Sequence, residues 1–159
     1  MPRRDDHDRL LRAVEQLAGV LADAGMPRMA ARVFSYALAD DGDYYTAAQL
    51  AEALRVSPAA ISGAVRYLVA TRLLFREREP GSRTDRFRVH DDDVWSAITL
   101  ARVELLQTWE DAVDEAAQLI GTRHRGGRRL LETKEFFQFS REETLEMLDR
   151  WKQRRVTLP

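Results

Sequence analysis

The sequence predicts a mainly α-helical protein with one small β-hairpin. Apolar residues recur at three- and four-residue steps over most of the chain, and the period switches once to alternation, around residues 73–90. Composition agrees: 159 residues, 45% hydrophobic and 32% charged, are enough to bury a core and too apolar to stay disordered.

Residues from about 7 to 24, "HDRLLRAVEQLAGVLADA", place Leu10, Val14, Leu17 and Leu21 on one helical face. Gly25 then Pro27 read as a stop and a new start. A second helix, "PRMAARVFSYALA", is apolar at Met29, Val33, Phe34, Ala37 and Leu38, and "DDGDYY" breaks it. Thr46 with Gln49 fits a capping box opening "AAQLAEALR". Ser57 as cap and Pro58 at the first helical position open the next helix, which turns Ile61, Val65 and Leu68 inward and is expected to run to about Leu73. "LLFREREP" and "DRFRVH" then alternate as two strands around the turn "PGSRT".

From Asp93 to about Ile120 one long helix is expected, with a stripe of Val94, Ile98, Ala101, Leu105, Trp109, Val113, Ala116 and Ile120. At 1.5 Å per residue it measures roughly 40 Å, more than a domain of this size needs to cover itself, so a partner chain is its natural cover. "GTRHRGGRR" reads as a loop or a loosened helix end, and Ser140 with Glu143 as a capping box for a last helix carrying Leu145, Leu148 and Trp151.

The formal net charge is −1, but the charge is unevenly placed. Between Arg55 and His90 eight arginines stand against three acids, whereas between Asp91 and Thr122 eight acids stand against Arg102 alone. A cationic working surface beside an anionic segment suits a polyanionic partner at the first and not at the second. With no cysteine, disulfides, thiolate metal sites and a cysteine nucleophile are excluded. No run approaches the roughly 18 apolar residues of a membrane span, and "MPRRDDHDRL" lacks the apolar core of a signal peptide, so a cytoplasmic protein without a membrane partner is expected. His7, His90 and His124 are isolated from each other, and no serine, histidine and carboxylate set stands out. No cofactor, metal ion or catalytic residue is expected, and the chain is not read as an enzyme.

The helix, turn, helix and hairpin order of residues 46–90 is the strongest signal, because a capped second helix can point its N-terminus into a major groove while its back face is anchored. "YYTAAQLAEALRVSPAAISGAVRYLVATRLLFREREPGSRTDRFRV", preceded by "GMPRMAARVFSYAL", resembles the MarR-type winged helix-turn-helix transcription regulators, particularly the branch labelled GbsR-like. The resemblance implies an N-terminal dimerisation helix at 1–25, a winged helix-turn-helix DNA-binding domain at 26–91 and C-terminal dimerisation helices at 92–159. It further implies a bacterial homodimer on double-stranded DNA, with recognition helix in the major groove and wing in the minor groove. Repression tuned by a small-molecule effector would follow.

Ser57, Ala59, Ala60, Ser62, Gly63 and Arg66 fall where the family's recognition helix faces DNA, and Arg83 falls at the wing tip. Many relatives carry a basic or larger polar residue where this chain has Pro58 and Gly63, and Thr or Ser at Ala60. On such a face Arg66 alone has the reach for bidentate contact with guanine, alanine methyls can meet thymine methyls, and Gly63 lets the helix sit deeper. Most affinity should then come from Arg83, Arg86 and Arg76 on phosphates and a narrow minor groove. The plainer alternative for Arg76, Arg78 and Arg88 is pairing with Glu77, Glu79 or Asp85 across the hairpin. Arg28 and Arg32 could reach a phosphate or, more plainly, the acidic long helix, and the arginines of 123–129 could form a second phosphate patch or an exposed loop. The competing function is a winged-helix module that docks on a protein and never touches DNA.

Overall fold

A computed structural model describes residues 4–78, 81, 84–89 and 93–158. Its elements in chain order are α1 (Arg4–Asp23), α2 (Arg28–Ala39), β1 (Tyr45–Thr46), α3 (Ala47–Ala53), α4 (Pro58–Ala70), β2 (Phe75–Arg78), β3 (Asp85–Arg88), α5 (Val94–Ile120) and α6 (Arg125–Arg155). They divide into two compact units, Met1–Val94 and Trp95–Pro159. No described helix is long and apolar enough to cross a membrane.

In the N-terminal unit α2 is the central element: Ala30, Ala31, Val33, Phe34, Tyr36 and Ala37 are all buried. Helix α1 packs on it through Val14 and Ala18, and Leu17 of the expected stripe is 36% exposed. The chain leaves α1 at Gly25, whose φ of 99° closes the turn with Met26 N–H donating to Leu21 O and Gly25 N–H to Ala22 O. Ser35, also on α2, is fully buried and its Oγ has no hydrogen-bond partner among the described residues.

The capping box is present as expected: Gln49 N–H donates to Thr46 Oγ1 at 3.2 Å and Thr46 N–H to Gln49 Oε1 at 2.7 Å. Ser57 caps α4 by accepting from Ala60 N–H, and Pro58 takes the first helical position. Ile61, Val65 and Leu68 are buried, each contributing roughly 1.5–3 kcal/mol by leaving water. Helix α4 stops at Ala70, short of the expected Leu73, because Arg72 adopts φ 60° and turns the chain back so that Leu73 and Leu74 enter the core. Apolar residues on both sides of such a turn read as continuing helix.

The hairpin is the larger part of a three-stranded antiparallel sheet of order β1-β3-β2. Tyr45 pairs with Phe87 and Thr46 with Arg86, so two residues beside the capping box supply a strand that sequence periodicity could not reveal. Tyr45 packs edge-on against Tyr36 at 5.5 Å and donates to Asp40 Oδ2 at 2.6 Å. Burial, then the neighbouring Asp40 carboxylate, pushes the Tyr36 phenol up to about 12, and burial with the Asp40 hydrogen bond pushes Tyr45 higher still.

In the C-terminal unit α5 has the expected bounds, give or take a residue, but α6 does not start at Ser140. It begins at Arg125 and runs without a break, and Ser140 lies inside it with its carbonyl accepting from Thr144 Oγ1. "RRLLETKEFFQF" contains neither glycine nor proline and favours helix throughout, so an S-x-x-E spacing there is no start signal. The connecting turn is correspondingly short: Gly121 has φ 84°, and a Cβ at Gly127 would lie 2.2 Å from Gly121 O. The two long helices are joined by a forked ion pair, Arg141 Nε to Glu110 Oε1 at 2.7 Å and Nη2 to Oε2 at 3.3 Å, and by Lys134 Nζ to Asp114 at 2.9 Å. Trp109 meets Phe137 at 5.7 Å between ring centres.

Candidate nucleic-acid interface

The exposed side of α4 is built from short side chains. Ala59, Ser62, Gly63 and Arg66 are exposed and recur at the three- and four-residue steps of one helical face, and Ala60 is half-buried beside them. Ser57 is exposed, with its hydroxyl engaged as the cap. A Cβ built on Gly63 would meet nothing within 4 Å, so packing in this chain does not require glycine there. Among the described residues Arg66 has no ion-pair partner.

Beside this face lies a cleft of about 650 Å³ bounded by Ser62 and Arg66 of α4, by Ala47 and Ala48 of α3, and by Arg76 and Phe87 of the sheet. The register explains the arrangement. Tyr45, Phe87 and Arg76 share one face of the sheet, and Thr46, Arg86 and Glu77 share the other. Burial of Tyr45 and Phe87 against the helices therefore delivers Arg76 to the α4 side. Of the residues expected at DNA, the structure brings Ser62, Arg66 and Arg76 together around one concavity.

Arg86 goes to the other face, with its guanidinium carbon 4.1 Å from the centre of the Tyr44 ring. Arg83 lies outside the described residues.

Pairing across the hairpin, the plainer alternative for its arginines, is what the strands show. Asp85 receives Arg78 at 3.3 Å and Arg76 at 3.6 Å, and Arg88 meets Glu77 at 2.6 Å. All three arginines remain partly exposed, and pairs of this kind in water are weak and readily exchanged for another anion. Arg32 pairs with Glu15 of α1 at 2.6 Å and donates to the carbonyl of Leu54 at 3.3 Å.

Three features of the site lay beyond sequence reasoning: the ring of Tyr44 under Arg86, the Arg32 bridge, and the left-handed backbone of Arg55 (φ 56°) in the turn between α3 and α4. The turn is closed by Arg55 N–H to Glu52 O and Val56 N–H to Ala51 O, a pattern that usually recruits glycine. An aromatic residue before a two-residue strand, and an arginine where glycine is cheaper, give no periodic signal.

A family model described as MarR family matches residues 24–83, the segment that holds α2, the helix pair and the start of the hairpin. A second, described as MmpR5-like MarR family transcriptional regulator, matches residues 93–154. The chain belongs to the MarR family. Members of this family are winged-helix transcription regulators that bind DNA and have no enzymatic activity. Neither match singles out the GbsR-like branch. The HTH-type transcriptional regulator MmpR5 of Mycobacterium tuberculosis is 25% identical over 146 residues, spanning 91% of this chain and 88% of that protein. A crystal structure described as a transcriptional regulator superposes with a TM-score of 0.75 at 24% identity, covering 91% of this chain and 99% of the other. At that identity the likeness bears on the fold, which it supports over nearly the whole chain.

Proposed function

We propose that the chain is a homodimeric, cytoplasmic, sequence-specific DNA-binding repressor. In this reading residues 26–91 contact DNA, and α1 with α5 and α6 form the dimer. Ser57, Ala59, Ala60, Ser62, Gly63 and Arg66 enter the major groove, while Arg76, Arg83 and Arg86 contact phosphates and the minor groove. The observation that carries it is Arg66, without an ion-pair partner among the described residues, on an exposed, small-residue helix face across a cleft from Arg76. Two cations converging on one concavity, with a capped helix start beside it, suit a phosphate backbone followed into a groove.

Dimerisation is supported by apolar surface that the C-terminal unit leaves uncovered: Leu105, Trp109, Leu119, Ile120, Phe136 and Phe139 are each more than 40% exposed. Exposed apolar side chains in that number on two long helices indicate a protein interface. A two-fold dimer carrying two such helices reads half-sites about one helical turn apart. A small-molecule effector that alters the spacing of the two recognition helices is the control that the family resemblance implies.

Selection of bound sequences from random duplex DNA by the purified protein tests the proposal. A two-fold symmetric site should be enriched, and binding should weaken steeply with salt. Failure to enrich any sequence, with Arg66→Ala and Arg76→Ala indistinguishable from wild type, would favour the protein-docking module, to which the apolar cleft lining would also be suited.

A further inference from the structure

Arg32 stands at the junction of α1, α2 and the turn between α3 and α4. Only 19% of its side chain is exposed, and its planar fork makes two bonds in different directions. Nε donates to Glu15 Oε1 of α1 at 2.6 Å, and Nη2 donates to the carbonyl of Leu54 at 3.3 Å. Leu54 is the C-cap of α3, so this bond satisfies a carbonyl that the helix itself leaves unpaired and places a cation at the negative end of the helix. The next residue, Arg55, adopts the strained left-handed conformation and reaches Asp8 of α1 at 3.4 Å. Asp8 and Glu15 are seven residues apart, two helical turns, and therefore on one side of α1. Two residues beyond Arg55, Ser57 caps α4.

We infer that Arg32, with Glu15, is a positioning residue for DNA binding: the pair clasps α1 to the helix-to-helix turn and so fixes how α4 is presented. The inference rests on the DNA-binding reading. The Arg32–Glu15 bond dominates the clasp, being short, charge-assisted and partly shielded, whereas Asp8 and Arg55 are more than half exposed and add little of their own. A backbone conformation that costs energy persists where its surroundings hold it, and Leu54 held by Arg32 is the neighbour that does so. Displacement of α1 thereby reaches the turn through side chains alone, with no change in any residue that touches DNA.

The test compares wild type with Glu15→Gln, Arg32→Gln and Arg32→Lys on the best duplex recovered by selection and on an unrelated duplex, over a range of salt, with urea unfolding followed in parallel. Glu15→Gln and Arg32→Gln should weaken specific binding by roughly 5- to 50-fold, the usual range for coupling between sites, while the slope of log affinity against log salt stays at the wild-type value. Arg32→Lys keeps a cation beside Glu15 but lacks the fork that spans to Leu54, and should fall between. Wild-type affinity in folded variants overturns the clasp and leaves the DNA reading intact. A slope reduced by about one in Arg32→Gln also overturns it, since Arg32 would then be a phosphate contact. If Arg32→Gln does not fold, Glu15→Gln decides, because it leaves the bond to Leu54 in place. A wild-type protein that binds no duplex overturns both proposals.

Discussion

Replacing Gly63 by alanine should move stability and DNA affinity in opposite directions. Gly63 lies well inside α4, is exposed, and has open space where a Cβ would be added. With no clash to offset, the helix-propensity difference should appear nearly whole, about 1 kcal/mol in favour of alanine. At a urea slope of about 2 kcal/mol/M this raises the unfolding midpoint by roughly 0.5 M. In the proposed groove placement the same methyl group intrudes on a surface that must approach base edges closely. Overfilling a fitted contact costs about 1–3 kcal/mol, so affinity for the selected site should fall about tenfold. Urea unfolding followed by fluorescence, with titration of a labelled duplex read by anisotropy, measures both. A stabilised variant that binds DNA as wild type does would refute the placement of this face in the groove.

Other outcomes follow from buried groups. Arg141→Ala should lower the urea unfolding midpoint, because Glu110, whose side chain is 6% exposed, would keep a charge without its forked partner; an unchanged midpoint would count against the α5–α6 pairing. Ser35→Ala should be neutral or stabilise by about 1 kcal/mol, since it removes a buried hydroxyl without a partner, and a clear loss in thermal unfolding would show that the hydroxyl is bonded after all. The Tyr36 phenol, ordinarily near 10.0, is held at about 12 in the folded chain, so the unfolded chain releases its proton first. Stability from this group is complete below pH 10 and is lost as pH rises toward 12; Tyr36→Phe should flatten that decline in a pH series of unfolding midpoints.

Where local chemistry alone decides an element, the sequence was sufficient. Thr46 with Gln49 and Ser57 with Pro58 marked the two helix starts that frame the turn, because each cap is closed by residues within three positions. Ser140 with Glu143 shows the limit: the same spacing occurs inside α6, where uninterrupted helix formers on either side outweigh it. Strand β1 was invisible because its two residues gain their partners from β3, some forty residues away. Arg72 shows the same dependence, since the end of α4 is set by where Leu73 and Leu74 find burial and not by any residue that breaks helices. For the interface, the small residues of α4 could be listed in advance, but which arginines face them depended on strand register, and register put Arg76 on the α4 side and Arg86 on the other.

That division bears on where selectivity originates. Asp85 is held by both Arg76 and Arg78, and the Arg76 contact is the looser at 3.6 Å, so an approaching phosphate can take Arg76 while Arg78 keeps the carboxylate neutralised. The internal pairing then lowers the cost of leaving an acid beside a polyanion. In the proposed binding mode affinity comes from phosphates and is nearly blind to sequence, whereas the smooth face of α4 discriminates chiefly by how closely it fits. Base-pair changes under Ala59 and Gly63 should therefore act through methyl groups and groove shape. Exchange of thymine for uracil in the selected site, which removes a methyl group and no hydrogen-bonding group, should cost more binding there than at positions facing Arg66.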